Sequence, residues 1–338
     1  MNKSKSGHAI ALFSGGLDST LAIILVLRQN IEVTALTFLT PFGCDIADRS
    51  GCGSDPYPVA QKFGFNVKLV HLGGKFIDIV TAPRFGYGKN MNPCIDCRIL
   101  MLQEAKIYMD LIGADFIITG EVIGQRPKSQ FRPSLNLIER ESGLKGYLVR
   151  PLSAKLLDET IPEKNGLLNR ELMERISGRS RKRQLELAKE FGLNDFPSPA
   201  GGCLLTTIGY SNRLRDLLTH ADIIHPGDIE LLRVGRHFRL DPQTKLIVGR
   251  DENDNEKIMK YLKTGYLSLE ALNTGSPVAL LIGNPSEENI NRGATITARY
   301  CDLKYISQVE ITCTHQDTTK CIKVRPATPD EAEKYLIK

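Results

Sequence analysis

The chain has 338 residues, with 44 Lys and Arg against 39 Asp and Glu for a formal net charge of +5, and eight cysteines but no tryptophan. That length accommodates two domains of ordinary size, and the average apolar and charged fractions exclude a fibrous or disordered chain. No apolar run approaches the ~20 residues of a membrane span and the N-terminus leads straight into an apolar stretch, so the expectation is a cytoplasmic protein with no membrane partner. In such a compartment eight cysteines read as metal ligands, reactive thiols or buried packing rather than disulfides. The whole positive excess falls before Thr206, which makes that part the better candidate for a nucleic-acid surface.

His8 to Phe13 has the length and apolar content of a buried strand, and Leu21 to Leu27 continues as an apolar helix. Between them lies Ser14-Gly15-Gly16-Leu17-Asp18-Ser19-Thr20. Two glycines permit a sharp turn close to a ligand, and a helix opening near Asp18 points unpaired N–H groups and its positive dipole end outward. Ser14, Ser19 and Thr20 can add hydroxyl donors. The pattern suits an anion cradle; an ordinary helix cap uses the same residue types.

Glu32 to Leu39, Asn66 to Leu72 and Asp115 to Thr119 read as further strands alternating with helices. The expected fold is therefore α/β, a doubly wound parallel sheet, followed by a second, smaller α+β domain. Ligands of such sheets gather at the carboxyl ends of the strands, where Ser14, Thr37 and Gly120 would lie. Cys44 and Cys52 fall in a Gly, Asp and Ser-rich loop. Asn92-Pro93-Cys94-Ile95-Asp96-Cys97 opens an amphipathic helix carrying Leu100, Ala105, Ile107, Met109 and Ile112. Pro93 suits a helix N-terminus, which places both thiols in the first turn, where the dipole favours thiolate. A lone CxxC serves redox chemistry, half a zinc site or iron–sulfur ligation. Thr119-Gly120-Glu121 through Gly124-Gln125-Arg126 is a polar loop after a strand, and Pro197 to Gly202 leads by Gly-Gly into Cys203. The basic runs Arg126, Lys128, Arg132 and Arg179, Arg181, Lys182, Arg183 fit either RNA phosphates or a solvated face.

The second domain is expected over 222–338, after a first domain over 1–210 that carries the glycine turn. Its strands are expected at Ile229 to Leu240, Lys245 to Val248, Val278 to Ile282, Val309 to Thr314 and Cys321 to Val324. Helices are expected at Glu252 to Lys263, Glu287 to Cys301 and Pro329 to Leu336. A short helix at Leu214 to Leu218 and a turn at His225 to Asp228 occupy the boundary.

SGGLDS resembles the PP-loop of the ATP-pyrophosphatase families, which implies ATP, an adenylated substrate and released pyrophosphate, with Asp18 holding Mg²⁺ or ordering the loop. The Thr-Gly-Glu...Gly-Gln stretch resembles an element of the tRNA 4-thiouridine synthetases. Asn92-Pro93 with Cys97 and a remote Cys203 resembles the tRNA 2-thiouridine synthases, except that Cys94 stands where well-known members carry Asp. Three such thiols resemble the iron–sulfur thiolation enzymes, in which three cysteines hold a [4Fe–4S] cluster and leave one iron open. Val234-Gly235-Arg236 and Val248-Gly249-Arg250 weakly resemble the RNA-associated domain of ribosome-quality-control factors. Together these resemblances imply tRNA uridine thiolation, with Ser14, Gly15, Gly16, Asp18, Ser19, Thr20, Thr37, Gly120 and Gln125 around ATP, and Cys94, Cys97 and Cys203 as catalytic thiols and cluster ligands. The implied partners are tRNA and a sulfur donor, either sulfide or a cysteine desulfurase system. A cluster-free persulfide relay between Cys97 and Cys203 is the alternative mechanism. A PP-loop enzyme acting on a small molecule is the alternative class.

Overall fold

A six-residue strand, β1 (Gly7–Leu12), forms the centre of the first of two units, Met1–Thr206 and Thr207–Lys338, into which the chain divides. The computed structural model describes residues 7–42, 55–194, 196, 203–262, 266–316 and 318–338, so Cys44, Cys52 and the Pro197 to Gly202 approach lie outside the described residues. After β1 come α1 (Leu17–Leu27), β2 (Ile31–Leu39), α2 (Tyr57–Phe63), β3 (Asn66–His71), α3 (Gly73–Thr81), α4 (Cys94–Ile112), β4 (Phe116–Thr119), α5 (Arg132–Glu141), β5 (Leu148–Val149), α6 (Ile161–Lys164) and α7 (Lys182–Glu190). The five strands are parallel in the order β3-β2-β1-β4-β5. Chain order runs outward from β1 in one direction and from β4 in the other, so the switch point lies between those two strands.

The apolar content of α1 has a physical reason: the helix is covered on two sides. Ile23 and Val26 pack on Ala9, Ala11, Val33 and Phe116 of the sheet, while Leu21, Ala22 and Leu25 pack on Leu152, Leu187 and Leu193. Each large apolar side chain so buried contributes about 1.5–3 kcal/mol. On α4 the buried stripe is Ile95, Ile99, Leu102, Ala105 and Met109. This corrects the expected face, since Ile107 is 60% exposed; Ala105 and Met109 keep helical spacing with Leu102, whereas Leu100 and Ile107 point along a different stripe.

The second unit contains α8 (Ile208–His220), α9 (Pro226–Leu231), β6 (Arg236–Asp241), β7 (Thr244–Val248), α10 (Glu252–Met259), β8 (Leu267–Ala271), β9 (Ala279–Gly283), α11 (Glu287–Arg299), β10 (Val309–His315), β11 (Thr318–Val324) and α12 (Pro329–Glu333). Its six strands form an antiparallel sheet in the order β11-β10-β8-β9-β7-β6. One face buries Phe238, Leu240, Leu246, Leu269 and Leu281 with Ala294 and Ile296 of α11.

Three expectations fail here. The segment read as a strand from Ile229 to Leu240 is helical up to Leu231 and becomes extended only at Arg236. Pro226 at the first helical position and Asp228, whose carboxylate accepts the His225 N–H at 2.9 Å, start a helix where a turn was expected. The helix expected to run from Glu252 ends at Met259, and the short strand β8 follows, unanticipated because only Leu269 and Ala271 of its five residues are buried.

Asp216 of α8 fastens that helix to β6 and β7. Its carboxylate accepts two hydrogen bonds from Arg239, each 2.8 Å, and lies 2.9 Å from the Lys245 ammonium. Burial alone would raise its pKa; the two cations override this and pull it to about 2, from 3.8. A carboxylate depressed on folding stabilises above its unfolded pKa and loses that contribution as pH falls through its folded value. Acid unfolding followed by circular dichroism should therefore show the wild type losing stability between pH 4 and 2 more steeply than Asp216→Asn.

Candidate functional site

The carboxyl ends of β1, β2 and β4 meet at the switch point. Beyond β1, Gly15 adopts φ 71°, a left-handed conformation that glycine accepts without strain. Gly16 caps α1 with no side-chain hydrogen bond to the first turn, leaving that turn to meet a ligand or solvent. The Ser14 and Ser19 hydroxyl oxygens stand 3.3 Å apart. Two of the three loop hydroxyls brace the turn itself: Ser19 and Thr20 donate to the Gly16 carbonyl at 2.9 and 3.0 Å. Ser14, exposed at the tip, is the hydroxyl that faces outward.

Gly120 follows β4 and presses directly on this turn. A Cβ placed there would meet the Ser19 nitrogen at 2.5 Å and the Asp18 carbonyl carbon at 2.6 Å. Gln125, five residues on, donates from Nε2 to Asp18 Oδ2 at 3.0 Å. The other Asp18 oxygen is buried with no hydrogen-bond partner, and so is the Thr37 hydroxyl near the end of β2. Orphaned buried oxygens are costly, and an unpartnered carboxylate oxygen is a hard donor of the kind Mg²⁺ takes.

Cys94 and Cys97 sit in the first turn of α4 behind Pro93, and the Cys97 N–H donates to the Pro93 carbonyl at 2.8 Å. Both are partly exposed. Cys203 begins a short turn in which the Thr206 N–H and hydroxyl donate to the Cys203 carbonyl at 2.8 and 2.7 Å. Two hydrogen bonds join that turn to the segment leading into α4: Met91 N–H to the Leu205 carbonyl at 3.1 Å, and Asn90 Nδ2 to the Thr206 carbonyl at 2.6 Å. The remote thiol's segment is thereby fastened alongside the CxxC segment. Among the described residues no three His, Cys, Asp or Glu side chains form the ligand set of a single metal ion, as a tetrahedral zinc site with ~2.3 Å Zn–S bonds would require. Ligands of a [4Fe–4S] cluster bind separate irons, and three thiols with cationic Lys128 and Arg98 near Cys94 are a donor set of that chemistry. The expectation of a dipole-favoured thiolate fails at Cys94, whose pKa is pushed up by burial, with Lys128, backbone hydrogen bonds and Arg98 opposing.

Sequence reasoning noticed Glu121 but missed the partners through which it connects these two halves. Glu121 is buried between Arg98 of α4, at 3.2 Å, and Arg150, at 3.1 Å. Burial would raise its pKa, but the two guanidinium groups reverse the sign and hold it ionised. Arg150 continues to Glu139 of α5 at 3.0 Å. Asp96, between the two thiols, accepts the Arg84 and Phe85 N–H groups at 3.0 and 3.2 Å. Its only sequence signal was an acid inside the CxxC. The basic runs are partly engaged: Arg183 pairs with Glu174, Glu186 and Glu190, and Lys128 donates to the Tyr87 carbonyl at 2.6 Å. In the second unit the two Val-Gly-Arg repeats meet across β6 and β7, with Arg236 stacked 4.6 Å from the Tyr300 ring and Arg250 paired to Asp254 at 2.6 Å.

Comparison with known proteins agrees with this division. Residues 4–161 match the family model described as Thiamine biosynthesis protein (ThiI), and residues 235–336 match NFACT protein RNA binding domain. The tRNA-specific 2-thiouridylase MnmA of Methylobacterium nodulans is 24% identical over 322 residues, covering 83% of this chain and 81% of that protein. A probable tRNA sulfurtransferase of Thermococcus kodakarensis is 27% identical over 155 residues, covering 43% of this chain and 37% of its own length. A solved 4-thiouridine synthetase–RNA complex with bound ATP overlaps 55% of this chain and 52% of its own at 19% identity, with a TM-score of 0.35, a likeness too loose to carry weight. No helix among the described residues is long and apolar enough to cross a membrane.

Proposed function

We propose that this chain, a homologue of tRNA sulfurtransferases and tRNA 2-thiouridylases with a PP-loop ATP-pyrophosphatase domain, is an ATP-dependent tRNA thiolation enzyme. The observation that carries the reading is the contact of Gly120 with the Asp18–Ser19 backbone, one residue from the Glu121–Arg98 pair that reaches the cysteine helix. One strand end thus braces both an adenylation loop and a thiol pair.

The ATP triphosphate rests over Ser14 to Thr20, where backbone N–H groups stabilise the pyrophosphate as it leaves. Asp18, oriented by Gln125, is the residue whose unpartnered oxygen would hold Mg²⁺, which when bound would neutralise charge on the phosphates. Thr37 and Gly120 bound the same crevice. A uridine carbonyl oxygen attacks the α-phosphorus, the bond to pyrophosphate breaks, and the base carbon becomes electrophilic. Hydrosulfide, supplied as sulfide or released by a thiol reductant from the persulfide of a cysteine desulfurase system, then attacks that carbon; the C–S bond forms as the C–O bond to AMP breaks and the proton passes to solvent. Cys94, Cys97 and Cys203 are the residues that would hold a [4Fe–4S] cluster, and such a cluster, when bound, would supply a site at which hydrosulfide is activated. Its third ligand, Cys94, has no task in a two-thiol persulfide relay. In the second unit, which matches an RNA-binding domain model, Arg236, Arg250, Arg299 and Lys304 line a polar cavity of about 390 Å³ together with Asp251, Glu252 and Asp302, and these basic side chains are the candidates for contact with tRNA phosphates.

Purified protein incubated with ATP, tRNA and sulfide should release AMP only when tRNA is present and should yield one thionucleoside by mass spectrometry of the digested tRNA. ATP turnover with a small acceptor, together with no tRNA binding at low salt, would replace this reading with the small-molecule alternative.

A further inference from the structure

Two stretches distant in sequence meet beyond the carboxyl end of β4. Ile123 and Ser177 form a parallel bridge, and the Gly178 N–H donates to the Ile123 carbonyl at 2.8 Å. Ser153 closes the junction by accepting the Ile123 N–H at 3.0 Å and donating to the Ile176 carbonyl at 2.7 Å. One residue further on, the Cβ position of Gly124 is 3.6 Å from the Gly178 nitrogen, and both glycines are left-handed, at φ 75° and 77°. The next residues are therefore neighbours: Gln125, which holds Asp18 of the glycine turn, and Arg179. Helix α7 begins just after and runs in the same direction as α1. At their C-terminal ends the Arg28 guanidinium lies 4.9 Å from the Phe191 ring, and between the ends Leu187 and Ala188 pack with Leu21, Ala22 and Leu25. Both helices thus start at the crevice that holds the PP-loop.

The second of these helix starts is cationic. Residues 174–190 carry six basic side chains against three acidic ones, and those acids, Glu174, Glu186 and Glu190, are all gathered on Arg183. Among the described residues, Arg179, Arg181 and Lys182 make no ion pair, and neither does Arg126, two residues past Gly124. Arg126, Arg179 and Lys182 are exposed. The helix gains nothing from them. Its first turn contains no acid, and cations at a helix N-terminus oppose the positive end of the dipole. Like charges gathered at one place repel as well, so four cations stand where folding alone disfavours them. An extended anion lying across them reverses both penalties. The ATP phosphates have the N–H groups of the glycine turn and the Mg²⁺ that Asp18 would hold. A base that must reach the α-phosphorus from within a polynucleotide brings further anions, the phosphodiesters on either side of it.

We propose that Arg126, Arg179, Arg181 and Lys182 form the docking rim for the RNA strand that carries the target uridine, pairing with its backbone phosphates while the uridine enters the crevice. The rim rests on the thiolation reading for the identity of its partner. Arg183, in the middle of the same basic run, belongs to the fold.

The test is the salt dependence of unfractionated tRNA binding to the full chain, followed by fluorescence anisotropy. Arg126→Gln/Arg179→Gln should weaken binding at ~100 mM salt at least about tenfold and flatten the slope of log K against log salt by about 1.4–1.8, which is ~0.7–0.9 for each lost phosphate contact. Arg181→Gln/Lys182→Gln provides a second pair with the same expectation. Lys164→Gln/Lys189→Gln removes equal charge from exposed side chains outside the rim and should keep the wild-type slope. ATP affinity, titrated without tRNA, should match the wild type in all of them, and in turnover the KM for tRNA should rise in the two rim pairs with kcat within a few-fold. Weaker ATP binding in the rim pairs would assign these cations to the triphosphate, and equal losses in the rim and control pairs would reduce them to general charge; either overturns the proposal. A wild type that binds no tRNA at low salt overturns the thiolation reading together with the rim. A wild type that binds tRNA, with unaltered slopes in both rim pairs, overturns the rim alone.

Discussion

Cys203→Ser should leave tRNA-dependent AMP release within a few-fold of wild type and lower thiolation by roughly three orders of magnitude or more, the scale at which enzymes lose a group that carries the chemistry. Serine has nearly the same shape, but its hydroxyl neither ligates iron as a thiolate does nor forms a persulfide. The turn itself should survive, because its bonds run through the Cys203 carbonyl to Thr206 and not through the sulfur. Single-turnover assays that measure AMP and thionucleoside in the same reaction make the comparison direct. A parallel fall in both products would remove Cys203 from the sulfur-transfer step. Cys94→Ser divides the two mechanisms: loss of thiolation together with iron supports the cluster, while full thiolation from an iron-free variant supports the persulfide relay.

Gly120→Ala is the second substitution with a large expected effect. Its methyl group would enter within 2.6 Å of the Asp18 and Ser19 backbone, and backbone does not move aside as a side-chain tip does. The start of α1 must retreat, carrying Asp18 and the glycine turn with it. A displacement of about 1 Å at a reacting centre costs on the order of 100-fold in rate, so kcat/KM for adenylation should fall by at least about that factor. Gly74→Ala is the control: its backbone needs no left-handed conformation and a Cβ there meets nothing within 4 Å. Equal activities for the two variants would show that the close approach of Gly120 is dispensable.

The parts of the first unit legible in the sequence are those with short-range causes. The apolar runs of β1 and β2 and the glycine turn between strand and helix each announce themselves within a dozen residues. Strand alternation was enough to expect the parallel sheet. The apolar stretch at Ile229 misled because Ile229 and Leu231 serve a helix, whereas Phe238 and Leu240 serve a strand, and the glycine between them is the only local sign of the change. Arg183 misled in the opposite way: a basic run suggests a ligand, but this member is consumed by three glutamates. Glu121 was noticed, yet its partners Arg98 and Arg150 stand 23 residues before and 29 after it. Only the folded sheet brings such distances together. The thiols were found by motif; the hydrogen bonds that carry the Cys203 segment to the Asn90 segment had no signal at all.

Those hydrogen bonds also define where the first unit can be cut. A fragment ending at Cys203 would contain all three thiols, and its sequence would look complete. It would lack the Leu205 and Thr206 carbonyls that hold Met91 and Asn90, so its final thiol would hang on an untethered end. The functional boundary of this half of the chain is therefore drawn by two acceptor oxygens, beyond the last residue with any chemistry of its own.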